Sequence, residues 1–430
     1  MKAAFYTLGC KVNQTESEYM AELLSKAGFE IVSPNEEADY YIINSCTVTA
    51  TADQKTRQNV RKFKRKHPNS AIILTGCMPQ AFPKDAEKLI EADIVLGNKN
   101  DGDILDLINR YNIEKQRILE INEHKTGDAF SKCSISKFND RIRAFVKIED
   151  GCDRFCSYCI IPMSRGRVRS KSLTALKEEI DNLAESGIKE VVLVGINLSA
   201  YGKNEDFNIV DAVKICADNK SIMRVRLGSL EPDHITNEIV SELSKIDKFC
   251  PQFHISLQSG CDKTLKNMNR HYNADAYRQL CTLLRSSFDD ASITTDVMVG
   301  FNEETEEDFI DSLNFVKEIG FEKVHVFPYS EREGTNASKK GDSVSKKEKE
   351  RRAEIMINET EKIRKEYFSS LINKTVCVLF ENEIENGVFQ GYTKNYTPVR
   401  LASEKDIIGK ELDVIITDTT EEYCNSKLQP

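Results

Sequence analysis

Cys152, Cys156 and Cys159 stand on one short stretch in the pattern C-x3-C-x2-C. They follow a strand-like run, Ala144-Phe145-Val146-Lys147-Ile148, and a turn signal, Asp150-Gly151. Thiolates crowded this closely repel one another unless a cation holds them, so the spacing points to a metal. A closed zinc site would need a fourth Cys or His nearby, and none follows at zinc spacing. Three cysteines suit a [4Fe–4S] cube, whose fourth iron is then left free for another ligand. Zinc and an incidental buried cluster remain the competing readings. A second set, Cys10, Cys46 and Cys77, is widely spread, yet each member sits in a turn context: Gly9-Cys10, Ser45-Cys46, Gly76-Cys77. Cysteine is a small hydrophobe at home in cores. That accounts for one such position better than for all three. Cys133, Cys216, Cys250, Cys261, Cys281, Cys377 and Cys424 carry no ligand spacing and read as structural.

The second set can serve one metal only if a fold gathers it. Residues 1–125 alternate strand and helix: strands are expected over 3–8, 40–43, 71–74 and 94–97, with helices over 17–27 and from about 53. That rhythm implies a doubly wound parallel α/β sheet. Cys10, Cys46 and Cys77 then follow its successive strands, and loops after parallel strands share the edge where ligands bind. Residues 126–140 mix Gly, Ser, Lys and Asp without periodicity and read as a linker. Beyond it, strands expected over 143–148, 190–194, 224–227, 253–257, 293–299 and 323–327 alternate with helical patterns. Six such units predict a partial (βα)6 barrel across 141–370, its site at the C-terminal strand ends. Gly195, Asn197, Ser229, Glu231, Gln258, Val299 and Phe327 fall there, and Tyr158 lies inside the cysteine loop. The stretch 339–365 reads as a charged, solvated helix. From 371 to 430 the period shortens to strands over 376–380, 388–393, 398–401 and 411–416, a small antiparallel β-barrel of OB-like size.

The chain has 430 residues, enough for several domains, and a formal charge of −9, which argues against blanket nucleic-acid binding. No apolar run approaches a membrane span, and Met1-Lys2-Ala3 opens straight into a strand rather than a signal peptide. Thirteen cysteines without secretory features point to a reducing, cytoplasmic compartment. Local basic patches remain, around Arg61 and Arg65 on the expected basic helix and at Arg165, Arg167 and Arg169 beside the cysteine loop. The tail from Ile372 is acidic, with six Lys/Arg against ten Asp/Glu. Its aromatics Phe389, Tyr392 and Tyr396 could stack on RNA bases, with a core role as the alternative.

Several stretches, in order and spanning essentially the whole chain, resemble the radical S-adenosylmethionine (SAM) methylthiotransferases. They are Leu8-Gly9-Cys10-Lys11-Val12-Asn13-Gln14, Asn44-Ser45-Cys46-Thr47-Val48-Thr49, Thr75-Gly76-Cys77 and the cysteine loop through Pro162. Leu257-Gln258-Ser259-Gly260, Met268-Asn269-Arg270 and Phe327-Pro328-Tyr329-Ser330 continue the likeness, and Gly391-Tyr392-Thr393-Lys394-Asn395-Tyr396 is similar to the family's TRAM domain. The family's usual Pro-Gly-Glu-Thr is here Asn302-Glu303-Glu304-Thr305, which changes the turn. The resemblance implies two [4Fe–4S] clusters, with Cys152, Cys156 and Cys159 on the SAM-cleaving one and Cys10, Cys46 and Cys77 on a sulfur-bearing auxiliary one. It implies SAM, two per turnover, held by the strand-end residues and Tyr158, with no residue nominated as acid or base. It implies tRNA as partner, contacted by the arginines and tyrosines named above, and an electron donor such as flavodoxin or ferredoxin. The Gly-Cys-Lys-Val-Asn-Gln wording is similar to the branch acting on N6-threonylcarbamoyladenosine in tRNA. Isopentenyladenosine, a ribosomal protein S12 aspartate, or a non-catalytic Fe–S RNA-binding role are the alternatives.

Overall fold

The structure, a computed structural model, describes residues 1–131, 133–135 and 141–429. The expected linker over 126–140 therefore lies partly outside the described residues.

The first unit is a six-stranded parallel sheet in the order β2-β1-β3-β4-β5-β6. Its strands are β1 (Lys2–Thr7), β2 (Glu30–Val32), β3 (Tyr40–Ser45), β4 (Ala71–Gly76), β5 (Ile94–Leu96) and β6 (Ile118–Glu120). Every residue of β3 and β4 is buried, as a parallel strand covered on both faces requires. Met20, Leu24 and Ile108 cover one face, and Val60, Phe63 and Met78 the other, so the sheet is doubly wound. The edge strands β2 and β6, three residues each, are too short to show alternation and had no sequence signal. The first helix is longer than expected: it spans Lys11–Lys26 and is N-capped by Cys10. The basic helix is Ala50–Lys66, with Thr49 Oγ1 accepting from Ala52 N at 3.1 Å.

The second unit contains β7 (Arg143–Lys147), β8 (Glu149–Asp150), β9 (Arg169–Ser170), β10 (Glu190–Val194), β11 (Arg224–Leu227), β12 (Ser229–Leu230), β13 (Gln252–Ile255), β14 (Ser292–Val299) and β15 (Lys323–Pro328). All six strand-helix units form, and their strands pair in parallel. The arc is divided into two sheets, β11-β10-β7 and β12-β13-β14-β15. Gly228 marks the division: its N–H donates to Leu193 O at 2.8 Å, after which the same strand leaves β10 and pairs with β13. The antiparallel pair β8·β9 closes the base of the cysteine loop. The charged helix runs Lys346–Ser369 and buries Met356 and Phe368, so it is anchored on one side rather than fully solvated.

The tail is a closed barrel of β16 (Thr375–Glu385), β17 (Val388–Thr393), β18 (Pro398–Ala402), β19 (Glu411–Thr419) and β20 (Cys424–Leu428). β20, Cys-Asn-Ser-Lys-Leu, lacks an apolar alternation and was missed in sequence. It pairs antiparallel with β19 and parallel with β18. Phe389 belongs to this barrel's core, 4% exposed, and is not free to stack on a base. No helix among the described residues is long and apolar enough to cross a membrane.

Buried charges dock the first unit on the second. Glu16 meets Lys147 Nζ at 2.8 Å and Arg165, and Lys147 also pairs with Asp150 at 2.8 Å. Arg332 reaches Asp53 at 2.5 Å and Thr47 Oγ1 at 2.8 Å. Such pairs require mutual satisfaction, because a lone buried charge is costly.

Candidate functional site

β1, β3 and β4 are neighbours, so the loops after them converge, and Cys10, Cys46 and Cys77 meet at one sheet edge. Two glycines make the approach possible. Gly9 has φ +120°, and a Cβ there would stand 3.0 Å from Cys46 Cβ and 2.5 Å from Asn13 Oδ1. Gly76 has φ +97°, and a Cβ would collide with the Asn44 side chain and the Ser45 carbonyl. Asn13 ties the Cys10 turn to the end of β3. Its Oδ1 accepts from Cys10 N at 3.3 Å, and its Nδ2 donates to Asn44 Oδ1 at 3.2 Å and Ser45 O at 3.3 Å.

The loop holding Cys152, Cys156 and Cys159 is pinned from both sides. Cys152 N donates to Gly166 O at 3.0 Å, and Ser157 N donates to Met268 O at 2.9 Å. Asn269 Nδ2 donates to Phe155 O at 3.0 Å, holding Phe155 at φ +51°. Burial, then the neighbouring thiols, pushes Cys46 and Cys159 up to about 12, and Cys152 is raised as well. Such thiols stay protonated alone and ionise when a thiophilic cation displaces the proton. Among the described residues, no group of three or more His, Cys, Asp or Glu is arranged to hold a metal ion. The donor set of each trio, three thiols and no fourth ligand, is the one a [4Fe–4S] cube takes with its fourth iron left open.

The expected cofactor residues lie at the strand ends around this loop. Glu149 is fully buried; its Oε2 accepts from Asn197 N at 2.7 Å, and its Oε1 has no partner. Burial raises its carboxyl far above the usual range. A Cβ on Gly195 would stand 2.6 Å from that carboxylate. Asn197 Oδ1 and Gln258 Oε1 are also buried acceptors without partners. Asn197 Oδ1 and Gln258 Oε1, joined by Glu149 Oε1 when its carboxyl ionises, suit a ligand carrying N–H donors, such as the ammonium of an amino acid, whose charge favours that ionised form. Glu231 is held by Arg270 at 2.5 Å, Ser229 lies 3.3 Å from Ser256 Oγ, and Val299 is buried. Tyr158 and Phe327 pack with Met268, Met298, Phe301 and Tyr329.

Two of the arginines expected to meet RNA are structural. Arg165 is 1% exposed and is consumed by Glu16, Asp150 and Cys77, while Arg169 pairs with Asp150 at 3.2 Å and donates to two backbone carbonyls. An arginine this enclosed cannot reach a phosphate, so the RNA assignment of both is corrected. Arg167 is exposed beside Asp153, Arg61 is exposed with Glu91 at 3.3 Å, and Arg65 is exposed. Tyr392 and Tyr396 stack on each other at 4.7 Å, with Arg143 over both rings and Arg226 over Tyr396.

Those tyrosines line a cleft of about 680 Å³ between the open side of the barrel and the tail. Its lining includes Lys11, next in sequence to Cys10, and Ser229, at the mouth that holds the cysteine loop. Lys11, Lys323, Arg364 and Arg400 line it with Glu422, while Arg143 and Arg226, also in its wall, are tied to Glu381 and Glu190. Sequence reasoning missed this patch because its cations come from separate strands. Arg143 and Arg226 could have been noticed as charged residues inside strand patterns. Arg270 lies in the Met268-Asn269-Arg270 stretch, where sequence alone assigns it no role.

Comparison with known proteins adds three family matches: Uncharacterized protein family UPF0004 over residues 2–97, the Radical SAM superfamily over 146–316 and the TRAM domain over 369–428. The threonylcarbamoyladenosine tRNA methylthiotransferase MtaB of Bacillus subtilis (strain 168) is 36% identical, covering 96% of this chain and 93% of its own. Its namesake from Thermotoga maritima is 39% identical, covering 91% and 89%. A tRNA-2-methylthio-N(6)-dimethylallyladenosine synthase of Endomicrobium trichonymphae is 33% identical, covering 96% of each. Among solved structures, the radical S-adenosylmethionine methyltransferase TsrM from Kitasatospora setae, with tryptophan and aza-SAM bound, aligns with TM-score 0.56 at 12% identity. It covers 76% of this chain and 72% of that one, a likeness of fold alone.

Proposed function

The chain belongs to the radical SAM methylthiotransferase family, and on that premise we propose that it methylthiolates C2 of N6-threonylcarbamoyladenosine at position 37 of tRNA. The observation that carries this reading is the pair of cysteine trios on two docked units, beside a basic cleft whose wall includes Lys11, next to Cys10, and Ser229 at the barrel mouth. Forming a C–S bond at an unactivated aromatic C–H needs both a radical source and a sulfur donor. When bound, two [4Fe–4S] clusters and two SAM molecules per turnover supply the radical, the methyl group and the sulfur. Cys152, Cys156 and Cys159 would hold the first cluster, and Cys10, Cys46 and Cys77 the second. Glu149, Asn197 and Gln258 present the acceptors for SAM. The buried Glu16–Lys147–Arg165 network fixes the two units in register, so that substrate placed in the cleft meets both trios. An electron donor of the flavodoxin or ferredoxin type and a cytoplasmic location belong to the same reading.

Nucleosides from cells lacking this protein test the substrate. Mass spectrometry should find 2-methylthio-N6-threonylcarbamoyladenosine gone and its unthiolated precursor accumulated, with any methylthio-isopentenyladenosine unchanged. Loss of the isopentenyl product instead would move the enzyme to the other tRNA branch.

The cleft also predicts where RNA affinity comes from. Neutralising phosphates releases counterions, so each lost contact flattens the slope of log affinity against log salt. Replacing Lys323, Arg364 and Arg400 together with glutamine should flatten that slope by about two to three units. Arg167→Gln should change it by about one at most. Filter binding of tRNA across a salt series makes the measurement. A larger change from Arg167→Gln than from the triple variant would return the RNA contact to the cysteine loop.

A further inference from the structure

Each cysteine trio contains one sulfur that is more enclosed than the others: Cys77 is buried beside the exposed Cys10 and half-buried Cys46, and Cys156 is buried between the half-buried Cys152 and Cys159. Each of these two sulfurs, and none of the other four, accepts a hydrogen bond from an arginine side chain among the described residues. Arg165 Nε donates to Cys77 Sγ at 3.3 Å, and Arg270 Nη1 donates to Cys156 Sγ at 3.2 Å. Both side chains are withdrawn from water, 1% and 2% exposed. Both are aimed by a carboxylate on the far side of the fork, Glu16 Oε2 at 3.0 Å for Arg165 and Glu231 Oε2 at 2.5 Å for Arg270. Tyr272 Oη, 2.9 Å from Arg270 Nε, adds a third restraint.

A buried ion pair needs only the carboxylate, and nothing in that pairing requires a remaining N–H to point at sulfur. Here it does so twice, on unrelated parts of the chain. We propose that Arg165 and Arg270 are positioning residues that independently set the reduction potentials of the auxiliary and the SAM-cleaving iron–sulfur centres, each through one N–H···S bond to the buried cysteine of its trio. The proposal rests on the two-cluster reading given above. An N–H···S bond draws electron density from the thiolate, and a guanidinium stays charged at any accessible pH. Both effects favour the reduced cluster and raise its potential. In a site shielded from water the charge is felt more strongly. Neither anchor is left alone when its arginine is neutralised, since Glu16 keeps Lys147 at 2.8 Å and Glu231 keeps Arg154 at 3.7 Å. The arginines can therefore be changed without stranding a buried carboxylate.

The test is an EPR-monitored redox titration of the reconstituted holoprotein, its Arg165→Gln and Arg270→Gln variants, and the corresponding lysine variants. Arg165→Gln should lower the auxiliary centre's midpoint by the equivalent of a tenfold change in its oxidised-to-reduced ratio, about 59 mV for one electron, and leave the other centre unmoved. Arg270→Gln should do the reverse. Lysine keeps the cation but not the fork, so each lysine variant should recover part of its own shift. Should a glutamine variant shed iron, the lysine variant decides by the same criterion. Equal movement of both centres in either variant, or no movement with the iron retained, overturns the proposal. Iron content of the unaltered protein reports separately on the premise: about four irons would mean one cluster and would remove the role of Arg165.

Discussion

Replacing Cys152, Cys156 and Cys159 together with alanine should halve the iron bound by the reconstituted protein, from about eight to about four per chain, and abolish reductive cleavage of SAM. The three thiols are the only cysteines on the loop between β8 and β9. Cleavage needs an iron with an open position, which a cube held by three cysteines provides. The variant should still fold, because the loop's restraints run through backbone: Cys152 N to Gly166 O, Ser157 N to Met268 O, and Cys159 N to Cys156 O. Arg270 would lose the Cys156 acceptor but keep Glu231 and Tyr272. Iron analysis, the visible absorption of the remaining cluster and a deoxyadenosine assay form the measurement. Undiminished SAM cleavage would remove these cysteines from the chemistry, and total loss of iron would mean that the two trios do not load independently.

Much of this site is legible in the sequence, and for a physical reason. The C-x3-C-x2-C loop is local, so its chemistry is written in consecutive residues. The strand–turn–Cys pattern at Cys10, Cys46 and Cys77 is non-local, yet a parallel sheet forces the loops after adjacent strands onto one edge, and periodicity alone placed them there. Charge roles were far less legible. Arg165 and Arg169 looked like an RNA patch because neighbours in sequence seem to share a surface. In the fold they turn inward toward Glu16 and Asp150, residues contributed by two different units. The cations that do face the cleft, among them Lys11, Lys323 and Arg400, are scattered across the chain and form a patch only after folding. Short elements were invisible for a different reason. β6 is three residues long, and β20 is polar, so their pairing comes from neighbours rather than from their own pattern.

Replacing Cys10, Cys46 and Cys77 with alanine should have the opposite selectivity: deoxyadenosine still forms, while transfer of the methylthio group to tRNA stops. The distinction follows from where the trios stand. The acceptors proposed for SAM, Glu149, Asn197 and Gln258, all belong to the second unit, and among the described residues no hydrogen bond of theirs involves the first unit's cysteines. Removing the first trio leaves that mouth intact. The docking between units should also survive, since Arg165 retains Glu16 and Asp150 when the Cys77 acceptor is lost, and Arg332 retains Asp53 and Thr47. The frame around the trio rests on Asn13, whose bonds to Asn44 Oδ1 and Ser45 O do not use sulfur. The triple variant should therefore bind tRNA with unchanged salt dependence, hold about four irons, and cleave SAM without yielding methylthiolated nucleoside. Liquid chromatography with mass spectrometry of both deoxyadenosine and tRNA nucleosides from one reaction reads the two activities together. Product formation at the unaltered rate would show that sulfur reaches the adenine by a route that bypasses this trio. Loss of both activities at once would mean that the first unit's cluster also sustains the radical step, and the division of labour between the trios would have to be abandoned.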